Sequence, residues 1–263
     1  MTPAAPTWDD AETARAYQAF TARHDRYRTA NAALVRAARI APSHRVLDVG
    51  AGIGGTAAAA LARLGGSGRV VCVEPSAAMR RLGRAEVADP RVVWRARVPR
   101  PAPAFDRVLC GASIWLMGAL DATIARLAAR LAPGGALAFD VPAAYVGVPD
   151  TPRVDPLGAI AAWLAGARML APAPLPPAVA LPDPAGVERL LAAAGLRARR
   201  WSMRARLTQA AYRDWLAIPV VSAGMLGGVD AAERARRLDA ALAHVDAAAW
   251  RRETWIGWTA WKS

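Results

Sequence analysis

The residues best suited to chemistry lie in Val46-Leu47-Asp48-Val49-Gly50-Ala51-Gly52-Ile53-Gly54-Gly55-Thr56. An apolar run ends in a carboxylate, and a glycine-rich turn then opens a helix. Glycines there let the backbone turn sharply and approach a ligand closely. Gly50, Gly52 and Gly55 also satisfy Gly-x-Gly-x-x-Gly, a pattern that dinucleotide-binding enzymes share. Asp48 narrows the choice, because a carboxylate at the mouth of the loop repels a pyrophosphate and attracts an ammonium group. Glu74 closes the next apolar run, 70–73, where a carboxylate can accept both hydrogen bonds of a ribose diol. That feature fits either class of ligand, and the plainer alternative is a solvated loop acid.

Proton transfer needs a different residue, and the chain has only three histidines. His44 precedes the first apolar run and is expected to be exposed. His244 falls in a late helical stretch and is expected at the surface. His24 shares a three- and four-residue spacing with Tyr17, Phe20, Tyr27, Asn31 and Leu34, hence one helix face. It is the candidate general base or substrate contact, against the plainer reading of a packed histidine on a buried face. Trp115 follows the fourth apolar run, where an indole could meet an aromatic or cationic substrate. Trp250, Trp255, Trp258 and Trp261 mark the last run. Alternation puts Trp255 and Trp261 on one face and Trp258 on the other. No His or Cys pair has metal-ligand spacing and the acids are dispersed, so no metal site is expected.

The elements that must position these residues are legible from periodicity. Residues 8–40 read as helix. Short apolar runs at 45–49, 69–73, 91–94, 107–110 and 136–139 then alternate with helical stretches near 56–64, 76–88 and 121–131. Asp121 is a candidate N-cap, and Gly134-Gly135 a candidate helix stop. Strands spaced by helices imply a parallel sheet covered on both faces. Residues 142–184 hold half of the chain's prolines around one short helical stretch, 157–170, and read as a loop-rich insert. After a helix at 184–194, residues 197–207 alternate. Trp201, Met203, Ala205 and Leu207 fall on one face, opposite Arg200, Ser202, Arg204 and Arg206, as in a strand near a sheet edge. Helical stretches at 209–217 and 230–245 precede a tryptophan-rich strand at 254–261.

Composition sets the bounds. The 263 residues are 54% hydrophobic and 21% charged, ample for a core and too apolar for a disordered chain. No apolar run is long enough to span a membrane, and residues 1–10 show no secretory signal. Cys72 and Cys110 sit inside apolar runs, which predicts buried thiols in a reducing, cytoplasmic setting. The net charge of +13 could point to nucleic acid. Lys262 is the only lysine, however, and the arginines are scattered through an alanine-rich chain, as a GC-rich coding bias would leave them.

In order, residues 46–54, 71–79, 105–116 and 131–139 resemble the class I S-adenosylmethionine-dependent methyltransferases of the small-molecule branch. The stretch Phe105-Asp106-Arg107-Val108-Leu109-Cys110-Gly111-Ala112-Ser113-Ile114-Trp115-Leu116 is similar to that of the trans-aconitate methyltransferase group. The resemblance covers residues 10–140 well and the remainder more loosely. It implies an α/β fold, a doubly wound Rossmann-like sheet of about seven strands with an antiparallel last strand. It also implies an N-terminal helical lid over 1–40 and a methyltransferase core over 41–263 that carries the insert at 142–184 and a helical insert at 209–245. S-adenosylmethionine is the implied cofactor. Asp48 with the Gly50, Ala51 and Gly52 backbone would hold its methionine end, and Glu74 its ribose. Pro75 and Met79 would pack beside the adenine. Many relatives have an acid after the third strand to meet the adenine amine. Here Trp94-Arg95-Ala96-Arg97-Val98 has none, so the backbone of Ala96 or Arg97 would serve. Cys110 and the loop after it would border the methyl, with Tyr27 a further cofactor contact. Tyr17, Trp115 and Tyr145 would meet the substrate and His24 would act as base. The implied partner is a small molecule, with no nucleic acid and no membrane. Alternatives are cyclisation or decarboxylation on the same fold, an RNA methyltransferase, and a nicotinamide oxidoreductase.

Overall fold

The computed structural model describes residues 5–98, 104–148, 156–173, 180–245 and 251–262. Trp250, expected to mark the last strand, lies outside them. The chain forms two compact units. One comprises residues 27–150, 179–204 and 254–263, and the other 1–26, 151–178 and 205–253.

The first unit is built on a seven-stranded sheet. Its strands are β1 (Arg45–Val49), β2 (Arg69–Val73), β3 (Val92–Arg95), β4 (Phe105–Cys110), β5 (Leu131–Pro142), β6 (Leu196–Leu207) and β7 (Arg251–Lys262). The order is β3-β2-β1-β4-β5-β7-β6, and β7 runs antiparallel to β5. This is the doubly wound sheet with the reversed last strand that the resemblance implied. Helix α2 (Arg26–Ala37) and α3 (Gly55–Leu61) cover one face through Leu34, Val35, Ala57 and Ala60. Helix α5 (Leu120–Ala128) and α7 (Pro184–Ala193) cover the other through Ile124, Leu127, Val187 and Leu191. With apolar partners on both sides, β1 is buried from Val46 onward, as central parallel strands are. Helix α4 (Ala77–Glu86) starts at Ser76, whose hydroxyl accepts from the Met79 amide at 3.2 Å. Trp258 is fully buried and stacks on Phe139 across β5 and β7, with ring centroids 5.3 Å apart. The edge strand β6 shows the expected alternation, with Arg200, Ser202, Arg204 and Arg206 exposed.

The second unit is helical. It holds α1 (Ala11–Arg23), α6 (Pro156–Gly166), α8 (Gln209–Leu216), the four-residue α9 (Ala223–Leu226) and α10 (Ala231–Leu242). Ile160, Leu164, Tyr212, Leu216 and Leu238 form its core. Arg26 ion-pairs with Glu253 in a buried setting and lies 4.3 Å from the Trp215 ring centre.

Several local expectations are corrected. The single helix over 8–40 is broken at His24, which is extended (φ −128°, ψ 139°), so Tyr17 and Tyr27 do not share one continuous helix face. Asp121 is not an N-cap. Helix α5 starts a residue earlier with no side-chain cap, and the Asp121 carboxylate only accepts from its neighbour Ala122. Gly134-Gly135 do not stop a helix, because α5 has already ended at Ala128. They fall where the β4–β5 register shifts, and Gly134 takes φ +69° there. His44 is half-buried rather than exposed, and its Nδ1 accepts from the Ala41 amide at 3.0 Å. Burial, then the Arg107 charge, holds its pKa below the usual histidine value. His244 is exposed as expected, stacked on Trp163.

Candidate active site

A doubly wound sheet offers a ligand crevice where neighbouring crossovers diverge, outside the carboxyl ends of the strands. Here that point lies between β1 and β4. The chain leaves β1 through Gly50 and Ala51, whose amides both donate to the Val73 carbonyl, at 2.8 and 3.1 Å. Gly50 takes φ +72°, and a Cβ there would come within 2.6 Å of the Ser113 hydroxyl. Only glycine allows both the turn and the approach of the β4 loop. Gly54, at φ +91°, precedes α3.

Glu74 ties this loop to the end of β2. One carboxylate oxygen accepts from the Gly52 amide at 2.8 Å and the other from the Ser76 amide at 2.9 Å. The acid is therefore a buried, oriented acceptor, and the plainer reading of a solvated loop acid is set aside. Each carboxylate oxygen has a second lone pair with which to accept from a hydroxyl. Met79 is buried on α4, Pro75 is exposed ahead of it, and Ala96 and Arg97 are exposed beyond β3.

Asp48 is fully buried, and neither carboxylate oxygen has a hydrogen-bond partner of good geometry. Burial, with the Glu74 charge next, pushes its pKa up to about 7, against a weaker pull from the Ala57 amide. A buried carboxyl with unmet acceptors is costly unless a donor or cation arrives. Beside it Thr56 donates to the Asn31 side-chain oxygen at 2.9 Å, which joins α3 to α2.

The loop after β4 carries the remaining parts. Cys110 is buried, and burial pushes its thiol up to about 12, so it is no nucleophile at neutral pH. The Ser113 hydroxyl donates to the Val49 carbonyl at 3.1 Å and lies 3.3 Å from the Cys110 sulfur. Ala112 takes φ +49°, and its amide donates to Asp140 Oδ1 at 2.8 Å. Asp140 is fully buried, its other oxygen has no partner, and burial pushes its pKa up to about 7. The sequence reading missed this residue, although its signal was the one that found Asp48 and Glu74: an acid closing an apolar strand. Trp115 and Tyr145, both expected at the substrate, meet edge to face with centroids 5.0 Å apart, and Tyr145 is 46% exposed. Tyr27 packs edge-on against Trp255 at 6.1 Å.

Tyr17 and His24 belong to the helical unit. Tyr17 meets Trp8 edge-on. His24 Nε2 lies 2.9 Å from Asp214 Oδ2, and Arg23 reaches the same oxygen at 2.9 Å. Burial pulls Asp214 upward, but the His24 bond and the Arg23 and Arg213 charges outweigh it, so its pKa is lowered. A histidine oriented by a carboxylate is a general-base arrangement that the spacing alone had not disclosed.

Comparison with known proteins decides the class. Residues 22–200 match the methyltransferase-domain family. The chain belongs to this methyltransferase family. It is 37% identical over 123 residues to a trans-aconitate 2-methyltransferase of Paracidovorax citrulli, covering 45% of this chain and 46% of that one. A second trans-aconitate 2-methyltransferase, from Azoarcus, is 33% identical over 172 residues, 64% of each chain. The chain thus spans about half to two thirds of the length of these relatives. Its fold is shared with the YcgJ protein of Bacillus subtilis, at TM-score 0.55 and 17% identity over 89% of this chain and 98% of that one. S-adenosylmethionine is the family's cofactor, and the site fits it. The unpartnered Asp48 carboxylate suits an ammonium, and Glu74 presents oriented oxygens to a diol. Among the described residues no His, Cys, Asp and Glu cluster could hold a metal, and no helix is long and apolar enough to cross a membrane.

Proposed function

We propose that this methyltransferase transfers the methyl group of S-adenosylmethionine to a small-molecule acceptor by in-line displacement. The observation that carries the reading is the buried, unpartnered carboxylate of Asp48 at the head of the glycine turn. Asp48 and the Gly50–Gly52 backbone would hold the methionine end, Glu74 the ribose, and Pro75 and Met79 the adenine edge. The exposed Ala96 and Arg97 backbone would take the adenine amine. Tyr27 and the Cys110 loop would close around the sulfur. When bound, the cofactor supplies an electrophilic methyl on a good leaving group. The protein then has to hold the acceptor atom about 3 Å from that carbon and exclude water.

Trp115 and Tyr145 are the acceptor wall of this proposal, supported by the edge-on pair they form and by the exposure of Tyr145, and Tyr17 would be a further substrate contact. His24, oriented by Asp214, would take the acceptor proton where the nucleophile is protonated at neutral pH. The lid of this reading is the segment 1–40 and its catalytic core 41–263. The names of the trans-aconitate relatives favour a small carboxylate-bearing acceptor. Two buried free thiols favour a cytoplasmic setting. The deciding experiment incubates the protein with S-adenosylmethionine and a panel of small carboxylic acids and follows S-adenosylhomocysteine release. Release that depends on one acid and falls in Asp48→Ala at limiting cofactor supports the proposal. Cofactor binding without release on any panel member, with a cofactor-derived product of another kind, would replace methyl transfer by other chemistry on the same fold.

A further inference from the structure

The sheet unit has a second concave site, remote from the glycine turn. It is a cavity of about 260 Å³ between the end of α2, the edge strand β6 and its neighbour β7. Its walls carry Arg36 from α2, Arg39 two residues past the end of α2, Arg199 and Trp201 from β6, and Thr259 and Trp261 from β7. On β7, Trp261 pairs with Ala136 and Thr259 with Ala138, whereas Trp255 pairs with Pro142 at the carboxyl end of β5. The cavity therefore lies toward the amino ends of the parallel strands, and the glycine turn lies at their carboxyl ends.

Two features argue that the cavity takes an anion. Arg36, Arg39 and Arg199 are exposed, and among the described residues none pairs with a carboxylate. Nor are these cations needed to cap α2. Arg107 already donates to the Ala38 carbonyl at 2.6 Å and the Arg39 carbonyl at 3.2 Å. Three guanidiniums around one cavity repel each other until an anion enters, and the guanidinium fork matches phosphate and carboxylate.

Two further features add a ring to the anion. Trp201 and Trp261 are half-buried and line the cavity. Trp201 is held in place, since its indole nitrogen donates to the buried Thr259 hydroxyl at 3.3 Å. A fixed indole next to a cation suits a planar ring by stacking. The volume lies below the ~300–1,000 Å³ of drug-sized pockets, so it seats one nucleotide unit at most.

We infer that this arginine–tryptophan cavity is a binding site for the phosphate and base of a nucleotide, one nucleotide at a time. That chemistry comes either from a free nucleotide or from single-stranded RNA, and the inference does not depend on methyl transfer.

The test measures binding of adenosine 5′-monophosphate, inorganic phosphate and a ten-nucleotide oligoadenylate. Excess S-adenosylhomocysteine is present to occupy the glycine-turn site. The variants are Arg36→Gln/Arg39→Gln/Arg199→Gln and Trp261→Leu, with thermal unfolding as the check on folding. The expected results are monophosphate binding that falls at least about tenfold in the triple variant, and in Trp261→Leu a loss of monophosphate affinity without loss of phosphate affinity. A much tighter oligonucleotide, with a salt slope that drops by ~2 in the triple variant, makes RNA the source. Equal affinities make it the free nucleotide. No monophosphate binding at millimolar concentration, binding unchanged in the triple variant, or phosphate binding as tight as the monophosphate would each overturn the inference.

Discussion

Asp48, Glu74 and Asp140 are carboxylates at strand ends in three different states of satisfaction. Glu74 has both oxygens on backbone amides, Asp140 has one, and Asp48 has none of good geometry. Asp48 therefore has most to gain from a cationic ligand. Asp48→Ala is expected to leave the protein folded and to lower affinity for S-adenosylhomocysteine about ten- to a hundredfold, measured by calorimetric titration. The wild-type affinity should also decline as pH falls through about 7, since only the ionised carboxyl attracts the ammonium. A flat profile would remove Asp48 from the site. Glu74→Ala should weaken S-adenosylmethionine and S-adenosylhomocysteine alike, because both carry the same ribose. Asp140 holds the Ala112 amide, and so the left-handed turn that sets Ser113 against Gly50. Asp140→Asn keeps an acceptor there and should retain stability. Asp140→Ala strands a backbone donor and should lose about 1–3 kcal/mol in urea unfolding.

At the scale of elements, the strands were read within a residue or two wherever apolar runs met charged or glycine boundaries. β1 and β2 match the expected spans, whereas β5 and β7 run longer. The break between α1 and α2 was not legible, because no proline or glycine marks it. His24 there is held by Asp214, a residue 190 positions away, and such a partner leaves no local trace. The same holds for the Ser113–Val49 and Thr56–Asn31 bonds that shape the glycine turn. The break also moves the sensible truncation point. Asn31 and Leu34 on α2 belong to the sheet unit, so a lid deletion should stop before α2. Removal of residues 1–24 is expected to leave a core that binds S-adenosylhomocysteine and transfers no methyl. His24→Ala should lower turnover more than cofactor affinity. Titration compared with turnover checks both, and full activity of the deletion would refute the lid.

At the scale of the molecule, two deeply buried acids with raised pKa values set a pH dependence. Asp48 and Asp140 reach about 7 in the folded chain, against an unfolded value of about 3.9. Between those values the folded state holds more protons than the unfolded one, so stability falls as pH rises from about 4 to 7. Asp89 and Glu233, lowered to about 2, act with the opposite sign below that window. The urea midpoint of the ligand-free protein should be higher at pH 5 than at pH 7.5, and Asp140→Asn should shrink the difference. A midpoint that rises over this range would contradict it. The far edge of the sheet carries a separate consequence. The Trp201 indole occupies the space that a Cβ on Gly257 would fill, and Gly257 is the only glycine of β7. Slide β7 along β6 by one residue or by two, and a side chain arrives beneath the indole in place of bare backbone. The pair works as an alignment key, a notch and a tooth that engage in one position only, and the last strand of the chain can enter the sheet in that position alone.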